Sequence, residues 1–257
     1  MTIWRRPAST WEALGRTNAL GAVLTREGQL ASWDPADFFA TGRADAARFV
    51  ADLSALVPSA SRARALDFGC GVGRVTRALA DYFGEVVGVD AAASMIDRAR
   101  ALDADRRCSF VLNEAHDLRQ FGSGAFSVVY SRLVLQHIRP ALVGRYIPEL
   151  VRVLAPGGAL MFQLPDVVGI DPARGLGRVP VIAHLKRRVP WPAVVTWRRI
   201  KCRLRTRTEA SQMTLFGMSP DDVRALIGGA GGRVVDMRPD SSHGCERVPG
   251  FEYWVTR

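Results

Sequence analysis

The feature that most constrains this chain is the run Ala65-Leu66-Asp67-Phe68-Gly69-Cys70-Gly71-Val72-Gly73-Arg74-Val75-Thr76. It reads as a short strand that breaks into glycines at alternate positions and continues into a helical pattern. Glycine permits the sharp turn and lets a ligand approach the main chain with no Cβ in the way. In open α/β sheets such a loop, at the carboxyl end of a strand, is where ligands bind. Two familiar glycine loops do not match. With Gly71 and Gly73 as the first two glycines, a dinucleotide fingerprint needs a third where Thr76 stands, and no Gly-Lys-Ser/Thr follows to make a phosphate-cradling loop.

Around this motif, short β-rich runs alternate with helical patterns, the signature of a mostly parallel sheet with helices on both faces. The spacing predicts strands at Ala65–Phe68, Glu85–Val89, Ser109–Leu112, Phe126–Ser131 and Ala159–Leu164, with Arg233–Arg238 and Phe251–Val255 closing a seven-stranded Rossmann-like sheet. A helix from Pro220 to about Ile227 is marked by Ser219 as cap, Pro220 at the first position and Gly228-Gly229 at the end. Another starts at Pro140, carries Pro148 inside it, and is expected to stop at Pro156-Gly157-Gly158. Residues 1–64 read as a helical N-terminal extension whose Trp4, Trp11, Trp33, Phe38 and Phe39 pack on the sheet or close over a site. The layout is then an extension (1–64), a core (65–166), an inserted basic cap (167–212) and the remainder of the core (213–257).

The second strand ends in Asp90, seventeen residues past Gly73, where a carboxylate can accept both hydroxyls of a ribose. Nucleoside and dinucleotide binders share that spacing, and Asp67 separates them. An acid before the glycines repels a pyrophosphate and attracts a ligand bearing an ammonium and a sulfonium.

With these residues in place, the sequence resembles the class I S-adenosylmethionine-dependent methyltransferases, closely over roughly residues 60–165 and more loosely from 215 to the end. The resemblance implies that S-adenosyl-L-methionine is the cofactor, with its methionine part wrapped by Asp67, Gly69, Gly71 and Gly73. It implies Asp90, with Ala91 beside it, on the ribose, and Met95 beneath the adenine. Asn113-Glu114-Ala115 stands where the family usually has Gly-Asp-Ala, which leaves Glu114 and Ala115 at the adenine edge. Ser131 opens the segment Ser131–Ile138 that matches the stretch after the fourth strand, and Arg152-Val153-Leu154-Ala155-Pro156-Gly157-Gly158 matches the run before the fifth.

Methyl transfer is an in-line displacement dominated by positioning, and a base is needed only where the acceptor must lose a proton. His137, after the fourth strand, and Asp166, ending the fifth, are the candidates; the resemblance suggests His137 as base with Asp166 supporting it. His243 lies in the last interstrand loop, and His116 and His184 are weaker choices. No carboxylate cluster suited to a divalent ion stands at the strand ends, so no metal is expected. The Asn/Asp-Pro-Pro-Tyr/Phe motif of amino-methylating nucleic-acid enzymes is absent, because Tyr130-Ser131-Arg132-Leu133 occupies its place. None of the four cysteines sits beside a proline as a cytosine-methylating nucleophile would. The expected reaction is methylation, on oxygen, of a small-molecule, glycan or lipid-linked acceptor. An RNA methyltransferase and a non-catalytic cofactor-binding protein on an anionic surface remain as alternatives.

Charge bears on that choice. The chain has 35 Lys and Arg against 25 Asp and Glu, a net charge of +10. Eleven of the basic residues fall between Pro172 and Thr208 with no acid among them, leaving 24 basic against 25 acidic elsewhere. Within that segment Ala193, Trp197, Ile200 and Leu204 share one helical face and arginines line the others, a basic amphipathic helix. It suits a cap over the active site, a peripheral contact with an anionic membrane, or a clamp on nucleic acid. The absence of a long apolar run, of a secretory start and of paired cysteines predicts a cytoplasmic protein with free thiols, peripheral to the inner membrane face if the segment meets lipid.

Overall fold

The computed structural model describes residues 6–25, 32–167, 215–242 and 248–257. In chain order the elements are α1 (Arg6–Thr17), α2 (Ala19–Val23), α3 (Pro35–Leu56), β1 (Arg64–Phe68), α4 (Thr76–Leu79), β2 (Glu85–Asp90), α5 (Ala93–Leu102) and β3 (Ser109–Leu112). There follow β4 (Phe126–Ser131), a 3-10 turn (Leu135–His137), α6 (Pro140–Val153), β5 (Leu154–Pro165), α7 (Pro220–Gly229), β6 (Arg233–Pro239) and β7 (Gly250–Thr256). The seven strands run in the order β3-β2-β1-β4-β5-β7-β6, parallel except for β7, which is antiparallel to both neighbours. Strand order reverses between β1 and β4, and that reversal opens a crevice at the carboxyl ends.

Alternation along the strands sorts the core into two layers. Leu66, Val129, Leu160 and Val255 face α6 and α7, packing on Ile147, Leu150, Val223 and Ile227. Their neighbours Ala65, Val128, Ala159 and Trp254 face α3, packing on Ala46, Phe49 and Leu53. Phe49 stacks on Trp254 with ring centroids 5.4 Å apart and meets Tyr130 edge-on at 5.0 Å. The last helix of the N-terminal extension thus forms one wall of the sheet's core, and α1 and α2 form a smaller cluster against the loop after β1 and the start of α5.

Two local expectations are revised. The helix from Pro140 runs through Pro148, whose missing N–H falls opposite the carbonyl of Gly144, and ends at Val153 rather than at the Pro-Gly-Gly turn. That turn lies inside β5, which begins at Leu154, five residues earlier than Ala159. Gly157 takes φ +73° and donates to Arg257 O at 2.6 Å, and the pairing of β4 with β5 slips between Phe126 and Val128. The extra residues are taken up as a bulge. The expectations for His184, His243 and the segment from Pro172 to Thr208 lie outside the described residues. Cys70 and Cys108 are free thiols. Among the described residues no helix is long and apolar enough to cross a membrane, and no group of three His, Cys, Asp or Glu could hold a metal ion.

Candidate functional site

The crevice is built by the chain's most distinctive motif. Gly69, Gly71 and Gly73 all adopt left-handed backbone, with φ of +78°, +53° and +79°. Each is also tightly covered: a Cβ on Gly69 would lie 2.4 Å from Val134 methyls, and one on Gly71 would lie 2.6 Å from Val23 Cγ2. The amides of Gly69 and Cys70 both donate to Val89 O, at 2.7 and 3.0 Å, which ties the loop to the end of β2.

Two acids flank the loop, and among the described residues neither has an arginine on its oxygens. Asp67, buried on β1, accepts the Thr76 hydroxyl at 2.6 Å. Asp90, at the end of β2, accepts the amides of Gly71 and Ala92, each at 2.9 Å. Burial pushes the Asp67 carboxyl up to about 6, with the charge of Asp90 adding to the rise and Arg74 and Thr76 opposing it. Burial likewise raises the Asp90 carboxyl and the Cys70 thiol. The carboxyl ends of β1 and β2 therefore carry two acids beside left-handed glycines, an arrangement suited to a cationic ligand carrying a diol.

The other predicted positions gather around it unevenly. Ala91 is exposed next to Asp90, while Met95, on α5, is buried against Leu14, Ala22 and Ala92. Asn113 donates its amide to Asp90 O at 2.8 Å, bringing exposed Glu114 and half-buried Ala115 to the same edge; the Ala115 carbonyl accepts the Tyr146 hydroxyl at 2.8 Å. Ser131 is fully buried and donates to Phe68 O at 3.1 Å, so its hydroxyl joins β4 to β1. His137 stands on the 3-10 turn, its Nε2 3.1 Å from Gln136 Nε2 and its ring edge-on to Trp11 at 5.0 Å. Asp166 lies beyond the end of β5, with its amide on Pro249 O and its charge acting on the Tyr253 hydroxyl.

Sequence reasoning missed a second constellation. Asp45 of α3 binds Arg74 of the glycine loop at 2.8 Å and Arg132, just past β4, at 2.9 Å. Arg132 also faces Asp240 at 3.7 Å, and Glu252 of β7 is paired with Arg48 and accepts from Trp254 Nε1. Arg74 and Arg132 adjoin the motifs and could have been flagged by position; Asp45 lies within a helix with no local signal. On the same sheet face the Tyr130 hydroxyl and both amide atoms of Gln163 are buried without a hydrogen-bond partner.

Comparison with known proteins agrees with this geometry. Residues 66–162 match the family model described as a methyltransferase domain. A trans-aconitate 2-methyltransferase of Methylobacterium radiotolerans is 32% identical over 168 residues, 65% of this chain and 60% of that protein. One of the same name from Deinococcus radiodurans is 34% identical over 140 residues, 52% of this chain and 50% of that protein. This chain thus spans between half and three fifths of the length of these curated relatives. Among solved structures, a Leishmania major S-adenosylmethionine-dependent methyltransferase superposes with a TM-score of 0.63 at 14% identity, covering 98% of this chain and 82% of that one. The Synechocystis magnesium protoporphyrin IX methyltransferase with bound cofactor gives 0.58 at 15% identity over 100% of both chains. Motif, sheet order and sequence relatives agree over residues 66–162, which form a methyltransferase domain of the class I S-adenosylmethionine-dependent type.

Proposed function

We propose that this protein transfers the methyl group of S-adenosyl-L-methionine to an oxygen of a small-molecule acceptor. The observation that carries the reading is the pair of acids, Asp67 and Asp90, standing beside three left-handed glycines with only neutral donors on their oxygens. The residues fit the cofactor. When bound, it supplies an electrophilic methyl on a sulfonium. Asp90 is oriented by backbone amides alone, so its remaining acceptor capacity is offered to the ribose hydroxyls. Asp67 supplies negative charge for the amino group through a loop that carries no side chain at Gly69, Gly71 and Gly73. Met95, Ala91, Glu114 and Ala115 form the adenine side, and Ser131 holds the β1 and β4 ends in register. His137 takes the proton when the acceptor is a hydroxyl, its ring held by Gln136 and Trp11; Asp166, just past the end of β5, is the acid that supports it. The acceptor class is supported by the relatives, whose names give a small organic acid as substrate.

The test is titration with S-adenosylhomocysteine, followed by transfer of a labelled methyl to a panel of small hydroxy and carboxylic acids, with RNA and anionic vesicles as separate arms. Saturable binding and ester or ether formation on a small acid are expected. Transfer to RNA alone would replace the acceptor, and binding without transfer to any arm would leave a cofactor-binding module.

A further inference from the structure

α5, which follows directly on Asp90, begins without a cap of its own. Its N-cap position is Ala92, whose side chain offers no acceptor to the first-turn amides. The acceptor comes from 82 residues away: Glu12 of α1 takes the Ser94 amide on Oε2 at 3.0 Å, and Ser94 Oγ donates back to the Glu12 carbonyl at 2.9 Å. Arg16 holds the other Glu12 oxygen at 2.8 Å, and the Ser94 amide, first, with Arg16 keeps this carboxyl below its usual range. Close approach is enforced at Gly15, where a Cβ would lie 2.3 Å from Ser94 Oγ and 3.1 Å from Ser94 Cβ.

α1 and the short α2 that follows it touch the glycine loop and its surroundings at two more points. Trp11 meets His137, and Val23 rests on Gly71. Leu14, Ala19 and Ala22 share a buried cluster with Val72, Ala92 and Met95. The first turn of α5 is thereby gripped from two sides, by Asp90 through the Ala92 amide and by Glu12 through the Ser94 amide.

We propose that Glu12 and Gly15 are positioning residues for the cofactor: Glu12 supplies the missing cap of α5, Gly15 lets α1 seat on it, and together they hold the α1–α2 pair closed over the glycine loop and set how fast the cofactor leaves. The inference rests on the cofactor reading above, and the experiment separates the two. Release of S-adenosylhomocysteine is followed by stopped-flow tryptophan fluorescence in the full chain and in Glu12→Ala, Glu12→Gln and Gly15→Val, with thermal melts alongside. Loss of a cap corresponds to about a fivefold change, so Glu12→Ala should release the product about five times faster with an association rate near wild type. Glu12→Gln, whose amide oxygen still accepts from Ser94, should fall between the two, and Gly15→Val should exceed Glu12→Ala. Wild-type release from both Glu12→Ala and Gly15→Val overturns the proposal, as does a lowered melting temperature with unchanged release. A wild-type chain that binds no S-adenosylhomocysteine overturns the cofactor reading itself.

Discussion

The acids on the two halves of the sheet are held in different ways. On the β1–β2 side, Asp67 and Asp90 are bound by a hydroxyl and by backbone amides, all neutral. On the side of α3, β4 and β7, Asp45, Asp240 and Glu252 are each matched by an arginine. Neutral donors orient a carboxylate and leave its charge available to a ligand, whereas an arginine spends that charge inside the fold. The first arrangement is expected of a binding site. The second is expected of a joint, here one that fastens α3 to the glycine loop and to the end of β4.

Substitutions on the two sides should therefore divide. The largest effect on binding is expected from Asp90→Ala, which removes two charge-assisted hydrogen bonds and should weaken S-adenosylhomocysteine by about a hundredfold in a calorimetric titration. The largest effect on folding is expected from Asp45→Asn, which strips Arg74 and Arg132, only 6% and 12% exposed, of their shared partner; a loss of about 3 kcal/mol should appear in denaturant unfolding. His137→Gln should lower turnover on a hydroxyl acceptor by about a hundredfold with cofactor affinity unchanged, and barely affect a carboxylate acceptor, which has no proton to lose.

A smaller effect, but one with a defined sign, concerns Asp67. Because its folded carboxyl is raised to about 6, from 3.8, the native state holds that proton more tightly than the unfolded chain. Its contribution to stability is full below about pH 4 and is lost as pH rises to 6. Cofactor affinity should move the other way, falling as the pH drops through 6 and the charge disappears. Asp67→Asn should flatten both profiles, raise stability near pH 7 and weaken binding there by about tenfold, the scale of one lost charge interaction.

How much of this could be read in advance follows the same division. The glycine loop, Asp67 and Asp90 lie within one strand–turn–helix–strand unit, so their meaning is carried by spacing, and the strand alternation that sorts the core is equally local. Thr76, which in the sequence only disqualifies a dinucleotide reading, turns out to be the hydroxyl that holds Asp67. The early start of β5 was hidden because Pro156-Gly157-Gly158 signals a stop, and only pairing with β4 turns it into a bulge. Asp45 and Glu12 were invisible for a stronger reason: their partners are distant in sequence, and nothing around either residue distinguishes a joint from an exposed helical acid.

The most direct test compares two substitutions, one from each half. Asp90→Asn and Glu252→Gln each neutralise one strand acid, and each is assayed by S-adenosylhomocysteine titration at pH 7.5 together with a thermal melt. The account predicts that Asp90→Asn loses most of the affinity while melting near wild type, and that Glu252→Gln melts lower while binding as wild type does. Equal affinity in the two variants would contradict it, because the acids beside the glycine loop would then be serving the fold and not the cofactor.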